Sequence, residues 1–168
     1  MRFRKAFTLV EILIVVLILG ILAAIVLPRF SNASATARAS MLADDLRVIR
    51  MQLQVYKSQH VDVPAGYPDG DRTAAPTEAA FVAQMTMASK ADGSTAAPGT
   101  AGYRYGPYLR EVPTNPLNGK NTVQVIDNGG AFPAAGDDSH GWIYQPQHLL
   151  FHADSPGQDD KGKAYFEY

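Results

Sequence analysis

The chain has 168 residues, no cysteine, fifteen Lys and Arg against sixteen Asp and Glu, and a mean hydropathy of −0.10. Without cysteine there is no disulfide framework, no thiolate metal site and no thiol nucleophile, and the near-neutral charge argues against nucleic acid as a partner. The averages hide an uneven distribution: from Phe7 to Leu27 the only charged residue is Glu11, and Ile12 to Leu27 are all apolar or glycine.

Met1 to Lys5 carry three cations, Arg2, Arg4 and Lys5, directly before the apolar run. That arrangement holds the N-terminus in the cytoplasm and sends the rest of the chain across. As a helix, Phe7 to Leu27 extends about 30 Å, the thickness of the hydrocarbon core of a bilayer. Two export readings follow. In one, the run is a secretory signal removed at Ala33-Ser34-Ala35 or Ala35-Thr36-Ala37, which would release a soluble exported binding domain. In the other, cleavage falls between Ala6 and Phe7 and the apolar helix is retained.

Three features favour retention. The run exceeds the roughly 7–15 residues of a secretory signal core. Glu11 is an acid inside it, at a cost of about 2.5–3.5 kcal/mol at full bilayer depth and less near the interface, and a plain export signal has no use for it. Helical patterning also continues beyond the run: Ala35, Ala39, Leu42, Leu46, Ile49, Leu53 and Tyr56 step by four and three, the spacing of a heptad seam. Met41, Val48 and Val55 are expected to widen that stripe, with Asp44, Arg47, Arg50 and Lys57 outside it.

The residues Ala6-Phe7-Thr8-Leu9-Val10-Glu11 before an apolar helix closely resemble the processing site and N-terminal helix of the type IV pilin superfamily, which includes pilus subunits and the pseudopilins of type II secretion. The resemblance implies cleavage before Phe7 by a prepilin peptidase, N-methylation of Phe7, and assembly of the retained helices into a filament core. It also implies that Glu11 meets the N-terminal amine of a neighbouring subunit, and the physics agrees, because a carboxylate in hydrocarbon needs a cation. The family usually has Gly before the cut where this chain has Ala6, a small residue whose expected effect is slower cleavage.

Further along, Pro28 removes a backbone donor and Gly20 lowers helix propensity, so a kink or loosened turn is expected there. It serves either as a bend at the membrane boundary or as a place where the helix extends when subunits pack. The Asn32-Ala33-Ser34 sequon is read as incidental. Pro64, Gly66, Pro68 and Gly70 end the long helix. Pro76-Thr77 starts a short helix carrying Phe81, Val82, Met85 and Ala88, and Ala91 to Gly102 is expected to be a mobile loop. Strands are expected at Tyr103 to Leu109, Thr122 to Ile126, a hairpin of Trp142-Ile143-Tyr144 with Leu149-Leu150-Phe151, and Tyr165 to Tyr168. Three or four antiparallel strands laid on the long helix would bury its seam.

The fold class is therefore α+β and pilin-like, a long N-terminal helix, membrane-spanning in its first half, packed on a small antiparallel sheet. Its expected organisation is a leader at 1–6, a transmembrane and filament-core helix at 7–28, an amphipathic continuation at 29–60, and a globular α/β domain at 61–168. The stretch from Gly106 to Gly119 is similar to one found in major pseudopilins of type II secretion, with Asn115-Pro116-Leu117-Asn118-Gly119 where that family has an Asp-Pro-Trp-Gly core. The same resemblance implies a calcium site in the loop from Asp154 to Gly162, with Asp154, Asp159 and Asp160 as ligands and Asp137 and Asp138 as weaker candidates. His148 and His152 are read as surface or aromatic-edge residues, not zinc ligands.

No phosphate loop, nucleophile elbow or catalytic triad is legible, so a structural subunit is expected and an enzyme is not. The favoured function is a pseudopilin of type II secretion, with a type IV pilus subunit for adhesion, motility or DNA uptake as the alternative. Implied partners are further copies of the chain, minor pseudopilins, the prepilin peptidase, an inner-membrane assembly platform and membrane lipid. Its expected place is the inner membrane, N-terminus cytoplasmic and C-terminal domain periplasmic. Removing residues 1–6 takes three cations and no acid, leaving twelve against sixteen and a mature charge of −4.

Overall fold

The computed structural model describes residues 8–168, with side chains for 8–24 and 33–168. Ala6 and Phe7, and with them the cleavage site, lie outside the described residues, as does the side chain of Pro28. The chain divides into two compact units, Met1–Ala37 and Arg38–Tyr168.

Helix α1 spans Leu9–Gln59, with Glu11 in its first turn and Lys57 in its last, the polarity that complements the helix dipole. In the first unit its large apolar side chains from Leu9 to Leu22 are 47 to 83 % exposed. Among the described residues no helix is long and apolar enough to cross a membrane; the apolar run continues past Ala24 into residues whose side chains are not described.

In the second unit the seam of α1 is core. Ala39, Leu42, Leu46, Ile49, Leu53 and Tyr56 are all buried, as their spacing requires of a helix with one face covered. Met41, Val48 and Val55 do not widen the seam: each precedes Leu42, Ile49 or Tyr56 by one residue, about 100° around the helix, and all three are exposed, together with Met51. Arg50, expected outside the stripe, is half-buried instead.

Beyond α1 the chain turns through Val61 and Asp62, both left-handed, and a 3-10 turn at Pro68–Gly70. Helix α2, Glu78–Thr86, starts where Thr77 accepts a hydrogen bond from Ala80 N–H at 3.1 Å, the role for which threonine suits a helix start. It buries Phe81, Gln84 and Met85. Ala88 is not its last turn but the first residue of strand β1.

Two short sheets follow. Strand β1, Ala88–Ser89, pairs antiparallel with β2, Thr95–Ala96, so the segment expected to be a mobile loop holds one arm of a hairpin. Asp92 organises its turn by accepting from Ser94 N–H at 3.0 Å and from the Ser94 hydroxyl at 2.7 Å, an Asx turn that polar composition alone does not distinguish from disorder. The expected strand at Tyr103 to Leu109 reduces to a single bridge from Tyr105 to Ser89. Gly106 is left-handed, and a Cβ there would lie 2.5 Å from the carbonyl of Met87; Pro107 next to it has no N–H to pair.

The larger sheet has the order β3, β4, β5, from Val123–Val125, Trp142–Gln145 and Leu150–Ala153. The β4–β5 hairpin is antiparallel, as expected, with Trp142 opposite Ala153. β3, however, runs parallel to β4, with Val123 opposite Trp142. The sheet is therefore mixed and not antiparallel: the connection at 126–141 carries the chain back to the starting end of β3, as a parallel pair requires. Tyr165–Glu167 is a 3-10 turn and not a strand. His152 of β5 pairs with the Phe166 carbonyl of this turn and Arg50 of α1 donates to the main-chain oxygen of Tyr168 just after it, while Glu167 N–H bonds Ala164 O locally.

Trp142, Tyr144 and Phe151 from the sheet, Phe81 and Met85 from α2, and Leu42 to Tyr56 from α1 form one buried cluster. The rings interlock, with Phe81 5.0 Å from Tyr144 and Trp142 5.5 Å from Phe151 between centroids, in the range favoured by aromatic pairs.

Candidate functional site

The described part of the N-terminal site begins at Thr8. Glu11 N–H donates to Thr8 Oγ1 at 3.2 Å and Thr8 N–H donates to Glu11 Oε2 at 3.4 Å. This reciprocal pair is a capping box. Its Thr-x-x-Glu signature is legible at Thr8-Leu9-Val10-Glu11 and adds a second task to the one expected of Glu11. The return bond of 3.4 Å is at the long end for N–H···O, so a stronger donor can take the carboxylate from Thr8. A Cβ on Gly20 would have nothing within 4 Å, so no contact explains glycine there.

The turn at Asn115-Pro116-Leu117-Asn118-Gly119 is a structural junction. Asn115 is buried; its Nδ2 donates to Gly141 O at 2.8 Å and Ser155 Oγ at 3.1 Å, while its Oδ1 accepts Leu117 N–H at 2.9 Å. Asn118 directs Nδ2 at His140 O (2.8 Å) and Asp154 O (2.9 Å) and accepts Lys120 N–H at 3.0 Å. Two glycines permit the close approach: a Cβ on Gly136 would stand 2.3 Å from Ser155 N, and one on Gly141 2.2 Å from Lys120 O.

Asp154 lies at the centre of this junction, fully buried. Oδ1 accepts Asp137 N–H at 2.7 Å, and Oδ2 accepts His140 N–H at 2.7 Å and the Ser139 hydroxyl at 3.0 Å. Asp159 is occupied in its own turn: Oδ1 accepts Lys161 and Lys163 N–H, both at 2.8 Å, and Oδ2 accepts the Tyr168 hydroxyl at 2.6 Å. The Tyr168 hydroxyl and the two N–H groups hold the Asp159 carboxyl below its usual range. Asp160 is exposed. Asp137 accepts Ser139 N–H, and Asp138 accepts from Asn118.

The carboxylates expected to hold calcium, those of Asp154 and Asp159, are engaged by hydrogen-bond donors in the structure. Among the described residues no group of three or more His, Cys, Asp and Glu is arranged to hold a metal ion. Calcium is bound by converging oxygens, whereas the oxygens of Asp154 and Asp159 are met by N–H and O–H donors.

Arg50, expected only to lie outside the apolar stripe, is a structural residue. Its Nε and Nη2 donate to Phe151 O at 2.9 and 2.7 Å, and Nη1 donates to Tyr168 O at 2.8 Å. His152 packs against Phe132 and Phe166, with centroids 5.0 and 4.9 Å away, and its Nδ1 pairs with Phe166 O at 2.6 Å. Burial, with the Arg50 charge nearby, lowers its pKa. His60 was not singled out by its sequence context. It is buried and stacked on Tyr56 at 3.7 Å, with Nδ1 on Tyr56 O at 2.7 Å and Nε2 on Ser89 Oγ at 2.9 Å. Burial lowers its pKa as well.

An N-terminal capped helix with exposed apolar side chains, continuous with the core helix of a small α+β unit, is the arrangement of a pilin-like subunit. Residues 1–27 match the prokaryotic N-terminal methylation motif. The chain is similar to type II secretion system core protein G of several bacteria. It is 38 % identical to that of Pseudomonas aeruginosa over 64 residues, 38 % of this chain and 45 % of the relative, so the match spans under half of that protein. It is 28 % identical to that of Aeromonas hydrophila over 128 residues, 76 % of each chain. It is also 28 % identical to that of Vibrio cholerae over 129 residues, 77 % of this chain and 75 % of the relative. No solved structure matches.

Proposed function

We infer that this protein is a structural pseudopilin of type II secretion: a subunit cleaved between Ala6 and Phe7, methylated on Phe7, anchored in the inner membrane by the segment 7–28, and polymerised into a periplasmic filament with related minor subunits. The observation that carries the reading is the first unit. A prepilin-type motif at residues 1–27 precedes a helix whose apolar side chains from Leu9 to Leu22 remain largely exposed. Each such side chain gains about 1.5–3 kcal/mol on full burial, so the segment is stable only in lipid or among other helices. The names of the relatives support type II secretion over a pilus.

The assembly role of Glu11 follows from its surroundings. In a bilayer an ionised carboxylate is unstable without a cation, and its bond to Thr8 N–H is long. The α-ammonium of Phe7 in a neighbouring subunit, still charged after monomethylation, is the stronger partner. N-terminal mass spectrometry of protein isolated from membranes tests the reading. N-methylated Phe7 is the expected terminus, and a chain beginning at Ser34, Thr36 or Arg38 would overturn it. Glu11→Ala should leave the subunit in the membrane and impair its assembly.

A further inference from the structure

Within the second unit, α1 and the C-terminal loop line a pocket of about 560 Å³ in which Arg47, Arg50, Lys161 and Lys163 face a single acid, Asp159. Among the described residues, none of Arg50, Lys161 and Lys163 has an acidic side chain within 4.0 Å. Arg50 gives its hydrogen bonds to main-chain oxygens of Phe151 and Tyr168 and not to an acidic side chain. Arg47 meets Asp44 at 4.0 Å with both side chains about four-fifths exposed, a pairing worth little in water. Lys163 Nζ lies 4.6 Å above the Tyr168 ring, which positions the charge without cancelling it. Lys161 is exposed. Asp159 spends its oxygens on two N–H groups and the Tyr168 hydroxyl, so the side chains that line the pocket, four cations and one acid, sum to +3.

The rest of the unit is strongly acidic. Residues 38–168 contain eleven Lys and Arg against fifteen Asp and Glu. Outside the pocket that leaves seven cations against fourteen acids, an excess of −7. A basic pocket on a unit whose remaining side chains are in acidic excess is complementary in charge to acidic surface on another copy. A basic pocket that receives an acidic surface from elsewhere on an identical molecule makes a heterologous contact, and a heterologous contact that does not close into a ring propagates as an open helical filament.

We propose that the pocket formed by Arg47, Arg50, Lys161 and Lys163 receives an acidic segment of a second copy of this chain, as a lateral contact between neighbouring subunits. This rests on the reading of the protein as a filament subunit. It adds a contact in the globular unit to the packing of the N-terminal helices, and it gives self-association a dependence on ionic strength that helix packing in lipid does not have.

The test uses the full chain, extracted from membranes, as two differently tagged populations of which one is labelled with ¹⁵N. Copurification of the two tags measures self-association. Zero-length carbodiimide coupling with mass spectrometry identifies amine–carboxylate neighbours. The expected result is isotopically mixed links joining Lys161 or Lys163 to an Asp or Glu, with copurification reduced about tenfold or more by combined Lys161→Glu and Lys163→Glu. Arg47→Glu, at an exposed helix position that leaves the C-terminal loop intact, should reduce it too, and Lys90→Glu, outside the pocket, should not. Copurification by both pocket variants at the wild-type level, or wild-type copies that associate without mixed links at these lysines, would overturn the proposal and leave the filament reading standing. So would variants that associate normally but no longer bind vesicles of anionic phospholipid, since the pocket would then serve a lipid headgroup. Wild-type copies that fail to associate at all would overturn the filament reading itself, and this contact with it.

Discussion

Arg50 on α1 grips the carbonyl oxygen of Phe151 on β5 with two nitrogens, Nε at 2.9 Å and Nη2 at 2.7 Å. The same guanidinium reaches Tyr168 O through Nη1, so one side chain ties the core helix to an outer strand and to the C-terminal turn. Charged donors make stronger hydrogen bonds than neutral ones, and the fixed fork of arginine fits two of them to one oxygen.

Replacement of this side chain should therefore destabilise the protein out of proportion to its partial exposure. Arg50→Met keeps much of the apolar stem and removes all three bonds, with an expected loss of about 1.5–3 kcal/mol, typical of hydrogen bonds to charged groups. Arg50→Lys should recover only part of that, because an ammonium cannot reproduce the fork. Chemical denaturation of the wild type and both variants, compared at equal slope, measures it.

Asp154 should matter as an acceptor of N–H groups and not as a ligand. Asp154→Asn keeps the shape but places an amide donor against Asp137 N–H, His140 N–H or the Ser139 hydroxyl, where each carboxylate oxygen now accepts. The expected cost is about 1–3 kcal/mol for a buried donor left without its acceptor. The same cost should appear in thermal melts with added calcium and with a chelator. A penalty confined to the calcium-loaded protein would contradict this role.

Stability should fall on mild acidification. Burial lowers the pKa of both His60 and His152 from the ordinary value of 6.5, so the unfolded chain takes up protons before the folded one does. Their contribution is fully present above the unfolded value, is lost as pH falls from there through the folded values, and is then constant. Thermal melts between about pH 7.5 and 5, spanning the ordinary histidine range, should show the decline. His60→Asn should make it shallower. A wild-type melting temperature that is flat or rising on acidification would count against it.

Val61 offers a stabilising substitution. It follows the end of α1 with φ of 54° while the residue is 79 % exposed, so a β-branched residue sits in the left-handed region without burial to offset the strain. Relieving that conformation is worth about 1–2 kcal/mol per residue. Val61→Gly loses part of the gain to the entropy of the unfolded chain, and an increase of a few degrees in melting temperature is the expected outcome.

Periodicity made the helical half of the fold legible. The four-three spacing from Ala39 to Tyr56 selects the buried face of α1 residue by residue, because a helix places its side chains by rotation alone. Thr77 marked the start of α2 for a similarly local reason, its hydroxyl capping the first turn. The hairpin around Pro146 was also readable, since a short connection leaves adjacent strands little choice but to pair antiparallel.

The parallel pairing of β3 with β4 was not readable, because it depends on how the long connection at 126–141 returns. The junction of Asn115 and Asn118 with Asp154 was hidden for the same reason. Those residues are far apart in sequence, and their types alone suit a surface turn, an acidic loop or a calcium shell equally well. Which of these forms depends on whether the groups brought opposite are donors or acceptors.

What the sequence determined by itself is the apolar N-terminus with its prepilin-type motif, the amphipathic helix after it and the absence of cysteine chemistry, all properties of composition and local spacing. Tertiary structure decided the rest: that Arg50 turns inward to two main-chain oxygens, that Asp154 is encircled by N–H and hydroxyl donors, and that Lys161 and Lys163 join Arg47 around one pocket. Each of these depends on hydrogen bonds or charges between residues distant in the chain, and only folding fixes the distances over which such forces act.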